Sequence, residues 1–220
     1  QKAYGLFLVP SEWVPEFVVF TKYFYQKWKS LGINRAFENI FPDEKENFQL
    51  FLKEMEKTNS QVLIRSNSPF ETIESSSGKY FSESVLPNLN QVLSAIDRLC
   101  SVSTEQVMFV IVQRCIDRSE IIHASNERRV SQDKFHWRIE GLREDRFIKI
   151  TKETKNQTNK HELNAKDEKE VLSCLRSMFS QLIHINTGIF HCEIAWDGKN
   201  IWLVQADEIF EQHSSESANK

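Results

Sequence analysis

The sequence predicts an α+β fold. Helix-like and strand-like stretches are mixed along the chain, the last two strands form an antiparallel hairpin, and no internal repeat is visible. That pattern does not suit a doubly wound parallel sheet. With 220 residues, 40% of them hydrophobic, the chain has material for one sizeable domain or two small ones.

The elements follow in order. Phe17-Val18-Val19-Phe20 reads as a short buried strand. Thr21 then stands as the N-cap of a helix over 22–29 with an aromatic face of Tyr23, Phe24 and Trp28. Asp43 is placed to cap a second helix, in which Phe48, Phe51, Leu52 and Met55 recur at helical spacing. A strand over 61–64 runs into Arg65-Ser66-Asn67-Ser68-Pro69, and a serine-rich polar loop over 70–78 ends at Gly78. Residues 88–101 form an amphipathic helix with Leu89, Val92, Leu93, Ile96 and Leu99 inward. Residues 107–113 are apolar almost throughout, which predicts a central strand. Further strands are expected at 138–140 and 146–150, a polar loop at 152–164, and a long helix at 165–185 with Val171, Leu172, Leu175, Met178, Phe179 and Leu182 inward. Strands over 190–196 and 201–206 flank Asp197-Gly198-Lys199-Asn200, a strong hairpin signal. Strict alternation puts His191, Glu193 and Ala195 on one face and Phe190, Cys192, Ile194 and Trp196 on the other. By the same rule Ile201, Leu203, Gln205 and Asp207 share a face. The polar residues from Glu211 onward read as a frayed tail.

Composition narrows the function classes. A net charge of -3 gives no global pull toward nucleic acid or membrane. The apolar runs are short and broken by charge, so no transmembrane span is expected, and the opening residues lack a signal-peptide pattern. Cys100, Cys115, Cys174 and Cys192 match no zinc or redox spacing and lie in apolar segments. They read as reduced core residues of a cytoplasmic protein. The start at Gln1 rather than Met reads as a piece of a larger protein. No nucleophile elbow and no Walker-type loop is present, and with 6 glycines the chain has few positions where backbone can wrap a phosphate closely.

Three constellations can carry chemistry. An arginine at the end of a buried strand, Arg65, is held rigidly and offers planar paired donors to a phosphate oxygen; Ser66, the serines at 75–77 and Gly78 add hydroxyl and backbone donors. The alternative is an Arg65 paired with Glu71 or another carboxylate and no ligand. On the hairpin, a carboxylate and an amide on paired strands, Glu193 and Gln205, suit a magnesium ion and a nucleotide phosphate. The alternative is an ordinary hairpin with one wet face. The stretch Arg128, Arg129, Lys134, His136 and Arg138 is basic and suits contact with phosphates or nucleic acid, but acidic residues interrupt it, so a solvated face or hairpin is the competing reading.

Five motifs in order resemble the N-terminal ATP-binding domain of the phosphoenolpyruvate synthase and pyruvate phosphate dikinase family. Lys2-Ala3-Tyr4-Gly5-Leu6 is similar to the end of its Gly-Gly-Lys-Ala-x-x-Leu opening, and 14–19 to its VPxGFVV strand. Residues 62–68 with Glu71 and Ser77-Gly78 resemble VRSSAxxED…SxAG, and Val110-Ile111-Val112-Gln113 resembles VxVQ. Residues 193–199 and 203–206 resemble DIEWAxDGxxxxLQARP. The resemblance implies an ATP-grasp-like, two-lobed domain with a mixed, largely antiparallel sheet and flanking helices. The lobes it implies are 1–105, carrying the Arg65 loop, and 106–210, carrying the hairpin, with a tail at 211–220. It implies ATP and Mg²⁺ as cofactors. Lys2, Arg65, Ser66, Glu71, Gly78, Gln113 and Gln205 would lie at the nucleotide, Arg65 would be catalytic, and Glu193 would bind the metal. In that family the phosphoryl group passes to a histidine on a separate domain.

The chain departs from the pattern at the hairpin. The family's acidic residue two before the glutamate is His191, its arginine two after the glutamine is Asp207, and its proline is Glu208. The glycine-rich segment after VxVQ has no counterpart in 116–125, and the double glycine before Lys2 is absent. His191 and Asp207 would replace an acid–arginine pair in reversed order if the hairpin register sets them opposite. Three readings follow: a nucleotide-binding module acting as sensor or docking domain, an active Mg-ATP phosphotransferase donating to another domain, or an interaction domain without ligand.

Overall fold

The computed structural model describes residues 2–67, 82–102, 109–117, 120–126, 135–140, 146–149, 168–183 and 190–208. The expected loops at 70–78 and 152–164, the tail, and the residues Glu71, Gly78, Arg128, Arg129 and Lys134 lie outside these, as does the side chain of Lys2. The chain divides into two compact units, one of Gln1 and Val14–Arg118, the other of Lys2–Trp13 and Ser119–Lys220.

The first unit is built on a four-stranded antiparallel sheet of β1 (Phe17–Phe20), β2 (Val62–Asn67), β3 (Ser82–Val85) and β4 (Phe109–Arg114), ordered β1-β4-β2-β3. The apolar run expected to be central is β4, flanked by β1 and β2. Helices α2 (Lys22–Leu31), α3 (Ile33–Glu38), α4 (Pro42–Lys57) and α5 (Leu89–Val102) supply Phe24, Phe37, Phe48, Leu52, Met55, Val92, Ile96 and Leu99 to one core with Val62, Ile64, Val110 and Val112 of the sheet. Burying these aliphatic and aromatic side chains contributes about 1.5–3 kcal/mol each relative to exposure. Phe48 sits edge-on to both Phe20 and Phe37, at 5.0 and 5.8 Å between ring centres.

Three local expectations change. Thr21 is the N-cap of α2, but its side chain makes no capping bond, and the buried aromatic pair is Phe24 and Tyr25, with Tyr23 exposed. Tyr25 instead stacks on Trp28, whose indole N–H donates to Asp97 of α5 at 2.6 Å. Asp43 lies within the first turn of α4, because Pro42 already occupies its first position and Phe41 is the cap. Proline is favoured there, since its missing N–H would have no partner in the helix. The strand expected to end at Ile64 continues to Asn67, and β3, not expected from sequence, pairs with it.

The second unit holds a five-stranded antiparallel sheet of β5 (Glu120–Ser125), β6 (His136–Glu140), β7 (Arg146–Lys149), β8 (Phe190–Trp196) and β9 (Ile201–Glu208), ordered β7-β6-β5-β8-β9. One face is apolar. Ile122, Ala124, Trp137, Ile139, Phe190, Cys192 and Ile194 are buried there. Helix α6 (Glu168–Ile183) buries Val171, Leu175, Met178, Phe179 and Leu182, and Phe179 stacks on Trp137 with ring centres 3.9 Å apart. Asn126 ties β5 to β8: its side-chain oxygen accepts the Phe190 N–H at 2.7 Å, and its own N–H donates to the Phe190 carbonyl at 3.3 Å.

The short helix α1 (Lys2–Phe7) packs on β9. A Cβ on Gly5 would stand 2.4 Å from both the Cβ and the carbonyl oxygen of Ala206, so only glycine allows this approach. Gly5, which falls at an unspecified position of the opening motif, is thus a packing requirement. Gly5→Val is expected to lower stability by about 1–3 kcal/mol through overpacking. Urea unfolding measures it, and an unchanged midpoint would contradict the α1–β9 contact.

Candidate functional site

The polar face of the second sheet gathers the hairpin residues. On β8 the buried Phe190, Cys192 and Ile194 force His191 and Glu193 onto the opposite face, as alternation predicts. On β9 alternation fails. The turn starts the register at Trp196↔Ile201 and carries it to Ile194↔Leu203, but the next pair is Glu193↔Gln205. Val204 is the extra residue of a β-bulge, so Leu203 pairs on the apolar face and Gln205 and Asp207 on the polar one. Gln205 and Asp207 therefore do not share a face with Ile201 and Leu203, which corrects the alternation expected from sequence. Bulges re-aim side chains in this way.

The consequence is a compact polar array. Glu193 lies directly across from Gln205, and His191 directly across from Asp207. The register expected for the reversed pair is present. The Gln205 amide donates to Asp207 at 2.5 Å. On the other side β5 sets His123 opposite Glu193 and Ser125 opposite His191. The rings of His123 and His191 are 6.1 Å apart between centres and inclined by 32°. Sequence reasoning missed His123 and Ser125, because no strand was expected in 116–125. The signal was present in Ile122-His123-Ala124-Ser125, where Ile122 and Ala124 alternate with polar residues and are buried.

The turn holding β8 to β9 is fixed by Asp197. One carboxylate oxygen accepts the backbone N–H groups of Lys199 at 2.8 Å and Asn200 at 2.6 Å, and the other accepts the Trp202 indole N–H at 2.8 Å. Gly198 takes φ +90°, which disfavours any side chain. Burial pushes the Asp197 carboxyl up, but the bonds from Trp202, Asn200 and Lys199 outweigh it and hold it below the ordinary carboxylate value.

In the first unit the other sequence candidates lie on β2 and β4. Arg65 stands opposite Ile111, and Gln113 opposite Leu63, so Arg65 and Gln113 share the face turned away from the helical core, with Asn67. Gln113 is 1% exposed, and its amide nitrogen has no hydrogen-bond partner among the described residues. Ser66 points to the opposite face, beside Val110, with its buried hydroxyl likewise without a partner among them. The strand therefore does not present Ser66 beside Arg65.

Two of the buried thiols, Cys100 and Cys192, are held protonated and are poor nucleophiles. Burial pushes the Cys100 thiol up to about 12, with Asp97 adding to it, and burial with Asp207 and Glu193 raises Cys192 well above its usual value. Cys115 is not a core residue as expected; it is partly exposed at the end of β4. Among the described residues, no three of His, Cys, Asp and Glu converge as a metal-ligand set. Mg²⁺ commonly takes one or two carboxylates and completes its shell with water and phosphate oxygens. Glu193 fits a magnesium ion held jointly with phosphates and not one held by protein alone. No helix among the described residues is long and apolar enough to cross a membrane.

No family profile and no curated protein matches the sequence. Solved structures resemble it, two ligases among them. D-alanine-D-alanine ligase from Helicobacter pylori aligns with a TM-score of 0.43 at 12% identity, over 93% of this chain and 51% of the ligase. VanG D-Ala:D-Ser ligase from Enterococcus faecalis aligns with a TM-score of 0.41 at 13% identity, over 94% of this chain and 50% of the ligase. The chain spans about half the length of each, and a likeness at this level does not assign a family.

A lowered folded-state pKa contributes stability that is present above the unfolded value and lost as pH falls through the folded one. Asp197 is therefore expected to make the protein less stable in acid, starting below the unfolded value of about 3.9. Urea unfolding between neutral pH and pH 3 measures this, and Asp197→Asn is expected to flatten the decline. An identical pH dependence in the variant would contradict the assignment.

Proposed function

We propose that this chain is a divergent nucleotide-binding module, similar to the ATP-binding part of the phosphoenolpyruvate synthase and pyruvate phosphate dikinase family, and that it binds ATP as a sensor or docking domain of a larger protein. The observation that carries the reading is Glu193 facing Gln205 across β8 and β9, a hard oxygen ligand beside an amide on one polar face. Glu193 takes the magnesium ion together with the phosphates, and Gln205 contacts a phosphate oxygen through its amide N–H once that group leaves Asp207. The ion, when bound, neutralises phosphate charge.

In the first unit, taken by itself, two observations suit the nucleotide-binding roles that the resemblance gives Arg65 and Gln113. Arg65 is held in the middle of a sheet by pairing with Ile111 and Ser82, which gives its guanidinium the rigid base a phosphate contact needs. Gln113 buries an amide nitrogen without a partner among the described residues, and such a group costs about 1–3 kcal/mol until a ligand or water satisfies it. Lys2, Glu71, Ser66 and Gly78 are assigned to the nucleotide by resemblance alone.

The substitutions at the hairpin favour binding over turnover. Phosphoryl transfer is mostly positioning and charge neutralisation. Where the family pattern has an arginine this chain has Asp207, which adds a negative charge beside the proposed phosphate contact and opposes transfer.

Calorimetric titration of ATP with and without Mg²⁺ tests the proposal. Saturable binding that requires Mg²⁺, falls at least tenfold in Arg65→Ala and loses its Mg²⁺ dependence in Glu193→Gln is expected. No heat at millimolar ATP, or binding indifferent to both substitutions, would overturn it and leave a domain kept for its surface.

A further inference from the structure

The polar face of the second sheet carries a feature that nucleotide binding does not use. His123 of β5 and His191 of β8 stand on neighbouring strands, one step apart diagonally, and their rings approach to 6.1 Å between centres at 32°. Both side chains are partly exposed and open to solvent. Three carboxylates flank the pair in register: Glu193 of β8 and Glu140 of β6 across from His123, the latter ion-paired with Arg138 at 3.0 Å, and Asp207 across from His191.

From this arrangement we infer that His123 and His191 form a two-imidazole chelate for a borderline divalent ion of the zinc and cobalt type. Two imidazoles bound through nitrogen to one tetrahedral zinc, at about 2.0–2.1 Å, hold their ring centres about 5 Å apart. The observed separation is within about 1 Å of that value, a difference that small rotations about χ1 and χ2 remove. Imidazole prefers borderline ions to magnesium, which wants oxygen. Water completes the coordination shell, so the chelate needs only two protein ligands and agrees with the lack of a converging three-residue set among the described residues. Glu193 and Asp207 offset the charge of the dication from across the strands without entering its shell.

The backbone makes the pair rigid. Ile122 and Ala124 are buried on either side of His123, and Cys192 is buried beside His191, so neither strand can slip to turn its histidine away. The Asn126 clamp fixes β5 against β8 one residue beyond this pair. A chelating pair presented on a sheet loses little freedom on binding metal, which favours affinity.

The inference does not rest on nucleotide binding, and metal alone tests it. Untagged protein carrying Cys115→Ser, which removes the partly exposed thiol, is titrated with Co²⁺ and Zn²⁺ by calorimetry and followed by the visible absorption of Co²⁺. One equivalent is expected to bind, with affinity at least tenfold lower in His123→Asn and in His191→Asn and within twofold of the parent in His136→Asn. Circular dichroism and thermal melting verify that each variant is folded, and His191→Gln serves in place of His191→Asn if the latter does not fold. Absence of saturable binding, unchanged affinity in both the His123 and His191 variants, or an equal loss in His136→Asn would overturn the chelate. Absence of ATP binding with the metal result intact would remove only the nucleotide proposal.

Discussion

The polar site on the second sheet depends on one extra residue. Along β9 the turn at Asp197–Asn200 sets a register in which Leu203 belongs to the apolar face, opposite Ile194. Continued without interruption, that register would place Val204 opposite Glu193 and turn Gln205 inward. The bulge at Val204 advances β9 by one residue, and everything after it changes face. Gln205 meets Glu193, Asp207 meets His191, and Ala206 returns to the apolar side, where α1 packs on it through Gly5. A one-residue shift reverses every side chain in a strand, so the bulge decides which chemistry the face presents.

The rest of the unit holds this arrangement in place. Phe190, Cys192 and Ile194 are fully buried, which leaves β8 no freedom to slip. Trp137 stacked on Phe179 anchors β6 to α6, and Asn126 fastens β5 to β8. Gly5 matters for the same reason at the other end. Its missing Cβ lets α1 close on β9 just past the bulge, so a residue at the start of the chain supports a strand near its end. The polar array is thus supported from the apolar face, while its own members carry the charge.

Much of the fold was legible in the sequence. The apolar run expected at 107–113 contains the central β4 over Phe109–Arg114, the aliphatic periodicity at 88–101 is α5, and the turn signal at Asp197-Gly198 is the hairpin. Local chemistry determines each of these. What the sequence did not reveal depends on partners distant in the chain. Strand β5 is short and carries His123 in its middle, so only its pairing with β8 identifies it. Strand β3, Ser82–Val85, is a polar edge strand held by β2 and by the Arg98–Glu83 ion pair at 2.6 Å. The bulge is invisible to any rule of strict alternation, since Leu203-Val204-Gln205 reads as an ordinary strand. At the candidate site, Glu193 and Gln205 were legible as residue types, but the reason they face each other was not. His123 was missed because its strand was missed.

The central claim is that Val204 is the extra residue that brings Gln205 across from Glu193. Nuclear Overhauser contacts between backbone protons of β8 and β9 measure it directly. The bulged register predicts close cross-strand contacts for Ile194 with Leu203 and for Glu193 with Gln205. A continuous register, with Glu193 opposite Val204 and Cys192 opposite Gln205, would contradict the account and turn Gln205 away from the polar face.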